Sequence, residues 1–169
     1  GHLASHATEI LAELGAGHPD GEHPRAKHEL FECCIEVITD VCSTVGEARA
    51  DLAATIAEVR EAAGRHGCTL ICSGSHPYSL WAEQRVSPSE RYDELVEAMQ
   101  WMARRLQIFG IHMHLGVRSG EKAIALSNAV ATYIPHFLAL SSSSPFWEGH
   151  DTGLASTRSK IFEGLPTAG

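Results

Sequence analysis

Apolar and polar residues alternate between positions 110 and 117, where the chain reads Gly-Ile-His-Met-His-Leu-Gly-Val. Because a strand has a period of two, the four apolar residues share one face, and His112 and His114 share the other. At a rise of roughly 3.3–3.4 Å per residue, the two imidazoles would lie about 7 Å apart. The pattern predicts a strand that buries its apolar face and presents two histidines between glycines.

A second alternating stretch runs from residue 29 to 41 and carries carboxylates. Alternation places Phe31, Ile35 and other apolar residues on one face, and Glu32 and Glu36 on the opposite face. Burying a carboxylate in a strand is costly unless it is paired or holds a cation. The stretch therefore predicts a strand with an acidic face.

Apolar residues at helical spacing predict amphipathic helices around this pair of strands. They cover residues 1–15, 45–63, 88–106 and 120–140, with a break near Ile134 because Pro135 cannot continue a helix. The apolar sequence of residues 68–73 predicts a short strand. The Gly, Pro and Asp content of residues 15–27 predicts a loop. Since the strands alternate and carry no continuous apolar runs, one sheet face is expected to be open, which favours an α+β fold over a doubly wound parallel sheet.

Composition and charge narrow the functional classes. The 169 residues are 44% hydrophobic and carry a net charge of −8, which suits one globular domain and argues against nucleic acid or an anionic membrane as partner. No apolar run approaches the about 18 residues of a membrane span, and no signal peptide opens the chain. Five cysteines without a C-x-x-C pair indicate reduced thiols, so we expect a soluble cytoplasmic protein.

Each of the two strand patterns has an ordinary interpretation beside a functional one. Two histidines on one strand face have the spacing of metal ligands, but His112 and His114 are equally consistent with a half-exposed pair on a strand. Glu36 is consistent with a cation ligand or with a surface carboxylate on an edge strand. The residues alone leave both alternatives open.

Four blocks of the sequence carry a resemblance to a known family. They cover residues 29–39, the Gly-Ser-His-Pro of residues 74–77, residues 110–117 and residues 143–159. In this order they resemble the carboxylate–amine ligase family, the bacterial glutamate–cysteine ligase type related to glutamine synthetase. The resemblance extends from about Glu29 to Gly169, and the last block is its most specific part.

The resemblance implies a fold and a reaction. The fold would be a glutamine synthetase-like catalytic domain, in which a largely antiparallel sheet curls into a funnel and helices pack on its outer face. ATP would phosphorylate the γ-carboxylate of glutamate, and the amino group of cysteine or another amine would attack the acyl phosphate. Mg²⁺ or Mn²⁺ would neutralise the phosphate charge.

Carried over by position, the resemblance assigns metal-ligand positions to Glu36, His112 and Glu29. Strict alternation places Glu29 and Glu36 on opposite faces of one strand. Either a bulge or bend intervenes, or Glu32 takes the role assigned to Glu29. A shared cation shell also requires Glu36 and His112 to lie on the same face of a common sheet.

Two further residues receive substrate roles from the resemblance. His114 matches a position that lines the nucleotide or metal pocket. Arg158 matches a catalytic arginine that contacts the substrate carboxylate or the transferring phosphoryl group, for which a planar fork is suited.

The chain also departs from the family pattern. Family members open with a Glu-x-Glu strand and continue beyond the residues 166–169 with which this chain stops. We therefore expect residues 1–169 to be a single-domain fragment, opening with a helix and loop over residues 1–28. We expect it to fold but to be inactive alone, and its exposed sheet edge leaves homo-oligomerisation open.

Two other functional classes remain open at the sequence level. A zinc or iron enzyme would use His112, His114 and Glu36 without ATP. A non-catalytic module would bind a ligand through the open sheet face.

Overall fold

The structure, a computed structural model, describes residues 1–165. These residues form two compact units. Unit 1 consists of Gly1–Ile71 with Leu80–Arg104, and unit 2 consists of Cys72–Ser79 with residues 105–165.

Unit 1 contains a two-stranded antiparallel hairpin and four helices. Its elements are α1 (Ala7–Gly15), β1 (Ala26–His28), β2 (Ile35–Val37), α2 (Val45–Arg65), a single 3₁₀ turn (Trp81–Glu83), α3 (Glu90–Met99) and α4 (Trp101–Arg104). Strands β1 and β2 pair with Ala26 opposite Val37, Lys27 opposite Glu36 and His28 opposite Ile35.

Helices α1 and α2 cover one face of this hairpin. Leu11 from α1 and Val59 from α2 pack on Ala26 of β1, with the partly buried Ile35 of β2 beside them. Ala62 and Ala63 of α2 are buried in a cluster that includes the partly buried Ile35 of β2. Because their side chains are small, α2 can pack close to the hairpin. The opposite hairpin face carries the exposed Lys27 and Glu36.

The predicted helix over residues 45–63 is confirmed as α2, but not all of its apolar residues are buried. Thr55, Ala62 and Ala63 are buried together with Val59, whereas Val45, at the first position of α2, is 87% exposed. An apolar residue in the first turn of a helix has no facing element unless the preceding chain folds back over it. The burial therefore follows the small residues of the last three turns.

Unit 2 contains a second antiparallel hairpin and three helices. Its elements are α5 (Gly120–Ala131), α6 (Ile134–Ser141), β3 (Phe146–Trp147), β4 (His150–Asp151) and α7 (Thr157–Phe162). The break expected at Ile134 is confirmed, since α5 and α6 are bent by 63° there. Pro135 occupies the first turn of α6, where its missing N–H costs no hydrogen bond.

Residues 74 and 75 tie the segments of unit 2 together. The Gly74 N–H donates to Ser143 O over 3.2 Å, and the Phe109 N–H donates to Gly74 O over 3.0 Å. The buried Ser75 hydroxyl donates to Phe146 O over 3.0 Å. The Gly-Ser-His-Pro block thus connects the segment around residue 109 with the segment around residue 144.

Three strand predictions are wrong. Residues 68–73 adopt no regular structure. Residues 29–41 are interrupted by a turn at Phe31–Cys34, so they do not form one strand. Residues 110–117 adopt no regular structure, and their apolar residues are exposed, Ile111 to 90%. A strand needs a neighbour to accept its backbone hydrogen bonds, and within residues 1–165 no backbone hydrogen bond to residues 110–117 is present.

The fold is a mixture of helices and small antiparallel sheets, which agrees with the α+β class. The large antiparallel sheet is not found in the part of the chain that the structure describes, where each sheet has two strands. No single described helix is long and apolar enough to cross a membrane; only the bent pair α5 and α6 reaches that length and composition together.

Candidate functional site

Glu29 and Glu36 both lie at the β1–β2 hairpin. Lys27 lies directly opposite the exposed Glu36, and Glu29 is the exposed residue that follows the end of β1 at His28. The Glu29 carboxylate accepts a hydrogen bond from the Leu30 N–H. Of the alternatives from the sequence, a bend does intervene between Glu29 and Glu36. It is a complete chain reversal, since Glu29 directly follows β1 and Glu36 lies on the antiparallel strand β2.

Tyr92 of α3 lies beside these carboxylates. Its hydroxyl donates a 3.0 Å hydrogen bond to the backbone oxygen of His28 on β1. Partial burial raises the pKa of Tyr92, and the negative charges of Glu29 and Glu36 raise it further. Both carboxylates therefore act on the hydroxyl of Tyr92.

Glu32 occupies a different environment from Glu29 and Glu36. Its side chain is only 7% exposed, and its carboxylate accepts hydrogen bonds from the Thr8 hydroxyl over 2.6 Å and from the Thr8 N–H over 3.1 Å. The carboxylate thereby satisfies a backbone donor in the first turn of α1, where the helix dipole also favours negative charge. These contacts engage both oxygens of Glu32 within the protein.

His28 completes the contacts of Thr8. Its Nε2 lies 3.0 Å from the Thr8 hydroxyl oxygen and 3.8 Å from the Glu32 carboxylate. Because the single hydroxyl proton of Thr8 is donated to Glu32, the hydroxyl oxygen can only accept from His28. The contact is thus a hydrogen bond only in the tautomer of His28 that carries a proton on Nε2.

Cys33 and Cys34 lie in the turn between the two strands. Their sulfur atoms are 3.9 Å apart, and both side chains are partly buried. The neighbouring Cys33 sulfur, followed by burial, raises the pKa of Cys34, while the hydrogen bond from Cys34 lowers the pKa of Cys33. The two thiols thus form one interacting pair.

Arg158, at the start of α7, binds backbone carbonyls of unit 2. Its guanidinium donates to Phe109 O, and through Nη2 to Ser141 O over 2.9 Å. Its own N–H donates to the Ser144 hydroxyl over 3.2 Å. A Cβ at Gly74 would lie 2.9 Å from the Arg158 Cδ, so only glycine leaves room for this side chain.

His112 and His114 lie in the exposed segment 110–117. The His112 Nε2 lies 3.9 Å from the position that a Cβ would take at Gly110, so its ring folds back over that glycine. Both imidazoles are accessible from solvent, and neither is held by a regular element.

The structure thus places Glu29 and Glu36 at the β1–β2 hairpin of unit 1, and Arg158, His112 and His114 in unit 2. The shared cation shell of Glu36 and His112 stays a prediction, because the two residues belong to different units. Among residues 1–165, no three His, Cys, Asp or Glu side chains are arranged to hold a metal ion. The carboxylate oxygens of Glu29 and Glu36 are nevertheless the donors that Mg²⁺ and Mn²⁺ prefer.

Sequence reasoning missed Lys27, Tyr92 and Thr8. Tyr92 fits the apolar spacing of α3, which hides the polar contact of its hydroxyl. Lys27 lies in the stretch that reads as a loop, because its Gly, Pro and Asp content is typical of turns. The alternation at Ala26–His28 covers only three residues, which is too short to predict a strand.

The sequence profile of Glutamate-cysteine ligase family 2 matches residues 3–169 of the chain. The chain belongs to this family. It is 59% identical over 167 residues to the "Putative glutamate--cysteine ligase 2-1" of Frankia alni, covering 99% of this chain and 44% of that protein. It is 50% identical over 169 residues to the "Putative glutamate--cysteine ligase 2" of Thermobifida fusca, covering 100% of this chain and 42% of that protein.

This member of Glutamate-cysteine ligase family 2 therefore spans less than half the length of the curated relatives that it matches. The family membership agrees with the resemblance carried by the four sequence blocks. The names of the relatives describe a ligase that joins glutamate and cysteine.

Proposed function

We propose that this chain contributes to an ATP-dependent carboxylate–amine ligase that forms γ-glutamylcysteine within a glutamine synthetase-like catalytic domain. Family membership and the names of the relatives support the ligase class. The observation that carries the proposal is the β1–β2 hairpin, which has the exposed Glu36 on β2 and the exposed Glu29 directly after β1.

The donor set suits Mg²⁺ or Mn²⁺ bound together with a nucleotide. Mg²⁺ in phosphoryl-transfer sites is usually held by one or two carboxylates, with substrate phosphates and water completing its coordination. Glu29 and Glu36 supply two carboxylates, so three protein ligands are not required on this hairpin. A bound cation would neutralise the charge of the triphosphate.

Lys27 opposes cation binding at this hairpin. It stands directly across the hairpin from Glu36, so its ammonium offsets part of the carboxylate charge when no cation is present. A cation that binds there must compete with this charge. Lys27 therefore tunes the affinity of the proposed site.

Arg158 is proposed to bind the glutamate carboxylate or the transferred phosphoryl group. Its guanidinium has five N–H donors, and the described residues accept from it through Phe109 O and Ser141 O. The remaining donors are oriented by those two bonds, which provide the rigid fork that a planar anion requires. His114, in the accessible segment of unit 2, is proposed to line the nucleotide pocket, and His112 of the same segment is proposed as an imidazole donor to a cation.

The donor chemistry favours this proposal over a zinc or iron enzyme. Zinc sites in proteins are built mainly from cysteine and histidine, whereas the candidate ligands at the hairpin are the carboxylates of Glu29 and Glu36. A non-catalytic binding role for the chain would retain the cation site and lack turnover.

The cation site is tested by Mn²⁺ binding to this chain, measured by electron paramagnetic resonance. Glu29→Gln and Glu36→Gln are each expected to weaken binding at least tenfold, and Lys27→Gln to tighten it. Glu22→Gln, which removes the same charge from an exposed loop, serves as the matched control. If Glu22→Gln weakened Mn²⁺ binding equally, the effect would come from the net charge of the chain, and the proposed site at Glu29 and Glu36 would be wrong.

The reaction is tested by measuring γ-glutamylcysteine and phosphate with glutamate, cysteine, ATP and Mg²⁺. We expect product from the full-length Thermobifida fusca relative, and none from this chain alone. A relative that forms no product with glutamate and any amine tested would overturn the proposed ligase activity. Turnover by this chain at the rate of the relative would show that its site is complete.

A further inference from the structure

The turn between β1 and β2 holds two cysteines in succession. Phe31, Glu32, Cys33 and Cys34 form a β-turn closed by a 2.9 Å hydrogen bond from the Cys34 N–H to Phe31 O. The Cys33 and Cys34 sulfur atoms lie 3.9 Å apart, and each side chain is partly accessible.

This turn is anchored on both sides within unit 1. The backbone of Glu32 accepts from the Ala7 N–H and donates to Arg85 O, each over 2.9 Å. Phe31 is buried and forms an isolated antiparallel bridge with Val86. These contacts fix the backbone that carries the two thiols, so their proximity does not depend on a mobile loop.

The other three cysteines are placed differently. The Cys42 thiol lies 3.3 Å from Asp40 O, and the Cys68 thiol lies 3.6 Å from His66 O. Cys72 is exposed and belongs to unit 2. Within residues 1–165, the contact between Cys33 and Cys34 is the one in which two sulfurs meet.

We propose that Cys33 and Cys34 form a redox modification site that a peroxide-class oxidant closes to a vicinal disulfide. One thiol attacks a peroxide oxygen and becomes a sulfenic acid, with release of water when the oxidant is hydrogen peroxide. The second sulfur then attacks the sulfenic sulfur, the S–S bond forms, and a second water leaves. Two thiols thus lose two electrons and two protons, and one peroxide is reduced to two waters.

The geometry makes this bond reversible. A disulfide is about 2.03–2.05 Å long, so the sulfurs must approach by about 1.9 Å from their present separation of 3.9 Å. Adjacent Cα atoms are about 3.80 Å apart, whereas disulfides usually join Cα atoms about 4.4–6.8 Å apart. Strained disulfides are readily reduced, so the pair suits a switch and not a permanent cross-link.

Closing the ring changes the turn that connects β1 to β2. Glu29 precedes this turn and Glu36 follows it, so a change in its backbone alters the relative position of the two carboxylates. Oxidation is therefore expected to weaken cation binding at the hairpin face. This coupling rests on the proposed function, whereas disulfide formation itself does not.

The disulfide is tested by treating the chain with equimolar hydrogen peroxide, then alkylating it with N-ethylmaleimide in denaturant for mass spectrometry. The number of alkylated thiols is expected to fall from five to three, and a peptide 2 Da lighter is expected to contain Cys33 and Cys34. Cys42→Ser should leave this peptide unchanged, whereas Cys33→Ser and Cys34→Ser should abolish the mass loss. Alkylation of both residues after oxidation, or a linkage to another cysteine, would overturn the proposal.

A second probe tests the pair without an oxidant. Phenylarsine oxide, which bridges two neighbouring thiols, is expected to add one arsenical per chain and to protect Cys33 and Cys34 from alkylation. Addition to Cys33→Ser at the same level would contradict the pairing. For the coupling, the oxidised chain is expected to bind Mn²⁺ several-fold more weakly and to recover with dithiothreitol. Equal Mn²⁺ affinities of the disulfide and dithiol forms would overturn the coupling and leave the disulfide proposal intact.

Discussion

Glu32 accepts two hydrogen bonds from Thr8, one from the hydroxyl over 2.6 Å and one from the backbone N–H over 3.1 Å. Thr8→Val keeps the side-chain shape and removes the hydroxyl donor from a buried carboxylate. A lost hydrogen bond to a charged buried group costs about 1.5–3 kcal/mol, so we expect the free energy of unfolding to fall by that amount. Urea unfolding measures the change.

Thr69→Val serves as the control for Thr8→Val, because Thr69 is an exposed loop residue of the same unit. It undergoes the same chemical change and is expected to leave the unfolding midpoint in place. Equal midpoints for the two variants would show that the contact between Thr8 and Glu32 contributes no net stability.

Tyr92 reports on the carboxylates of the hairpin. Burial and the charges of Glu29 and Glu36 raise the pKa of Tyr92, so replacing Glu29 by Gln is expected to lower it. Saturating Mg²⁺ should lower it as well, because a bound cation offsets the same charges. The titration is measured by ultraviolet difference absorbance against Tyr92→Phe, which isolates this tyrosine from Tyr78 and Tyr133.

Glu94→Gln provides the control for Glu29→Gln, since it removes an exposed carboxylate from α3 itself. An equal shift from both variants would assign the raised pKa of Tyr92 to the general negative charge of the chain. No shift with Glu29→Gln would remove that carboxylate from the neighbourhood of Tyr92.

Arg158→Lys is expected to lower turnover in the full-length relative at the corresponding position. One ammonium cannot span Phe109 O and Ser141 O and still bind an anion as a fork does. Removing a transition-state contact of this kind costs about 2.7–4 kcal/mol. Steady-state kinetics with glutamate and ATP measure the loss, and circular dichroism checks that the fold is retained.

Arg118→Lys makes the same chemical change at an exposed position of unit 2 and serves as the control. It is expected to leave kcat and KM unchanged. Unchanged kinetics for Arg158→Lys would exclude Arg158 from the site.

Glu13 predicts a pH dependence for the packing of α1 on α2. Hydrogen bonds from Arg65, and then from His66, lower the pKa of Glu13 below its ordinary value of 4.5. Because its folded pKa lies below the unfolded value, the contribution of Glu13 to stability is complete above pH 4.5. It is lost as pH falls through the folded pKa.

The variant Glu13→Gln tests this sign. Its melting temperature is expected to lie below that of the unmodified chain at pH 7, with the difference shrinking as pH falls below 4.5. A difference that grows on acidification would mean that the carboxylate is destabilising when charged.

Local chemistry explains which elements were predictable from sequence. Helix α2 begins after Thr44, whose hydroxyl accepts from the Glu47 N–H, and the break before α6 follows from Pro135. Both features depend on residues within one or two turns, so the sequence alone specifies them.

The errors arose where structure depends on distant partners. The turn at Phe31–Cys34 contains no glycine, proline or asparagine, so nothing in its composition indicates a chain reversal. Residues 110–117 have strand periodicity, but a strand forms only against a neighbour that supplies backbone hydrogen bonds. The alternation of apolar residues indicates which face a strand would bury, but it does not indicate which segment would pair with that strand.

The candidate site shows the same division. The resemblance assigned Glu29 and Glu36, and the chain reversal between β1 and β2 explains how residues seven apart in the sequence belong to one hairpin. The role of Tyr92 could not be predicted from the sequence. Its spacing in α3 indicates only a buried ring, whereas its hydroxyl donates to His28 O, which is distant in the chain. Contacts across the fold, more than residue types, define this site.

The open segment at residues 110–117 has a consequence for isotope labelling. Backbone amides without an acceptor exchange their hydrogen for deuterium rapidly, whereas those inside α2 exchange only when the helix opens. Peptides from the two regions thus provide an unprotected and a protected signal in the same molecule. A nucleotide or polypeptide that binds to residues 112–114 would therefore slow the deuterium uptake of this segment.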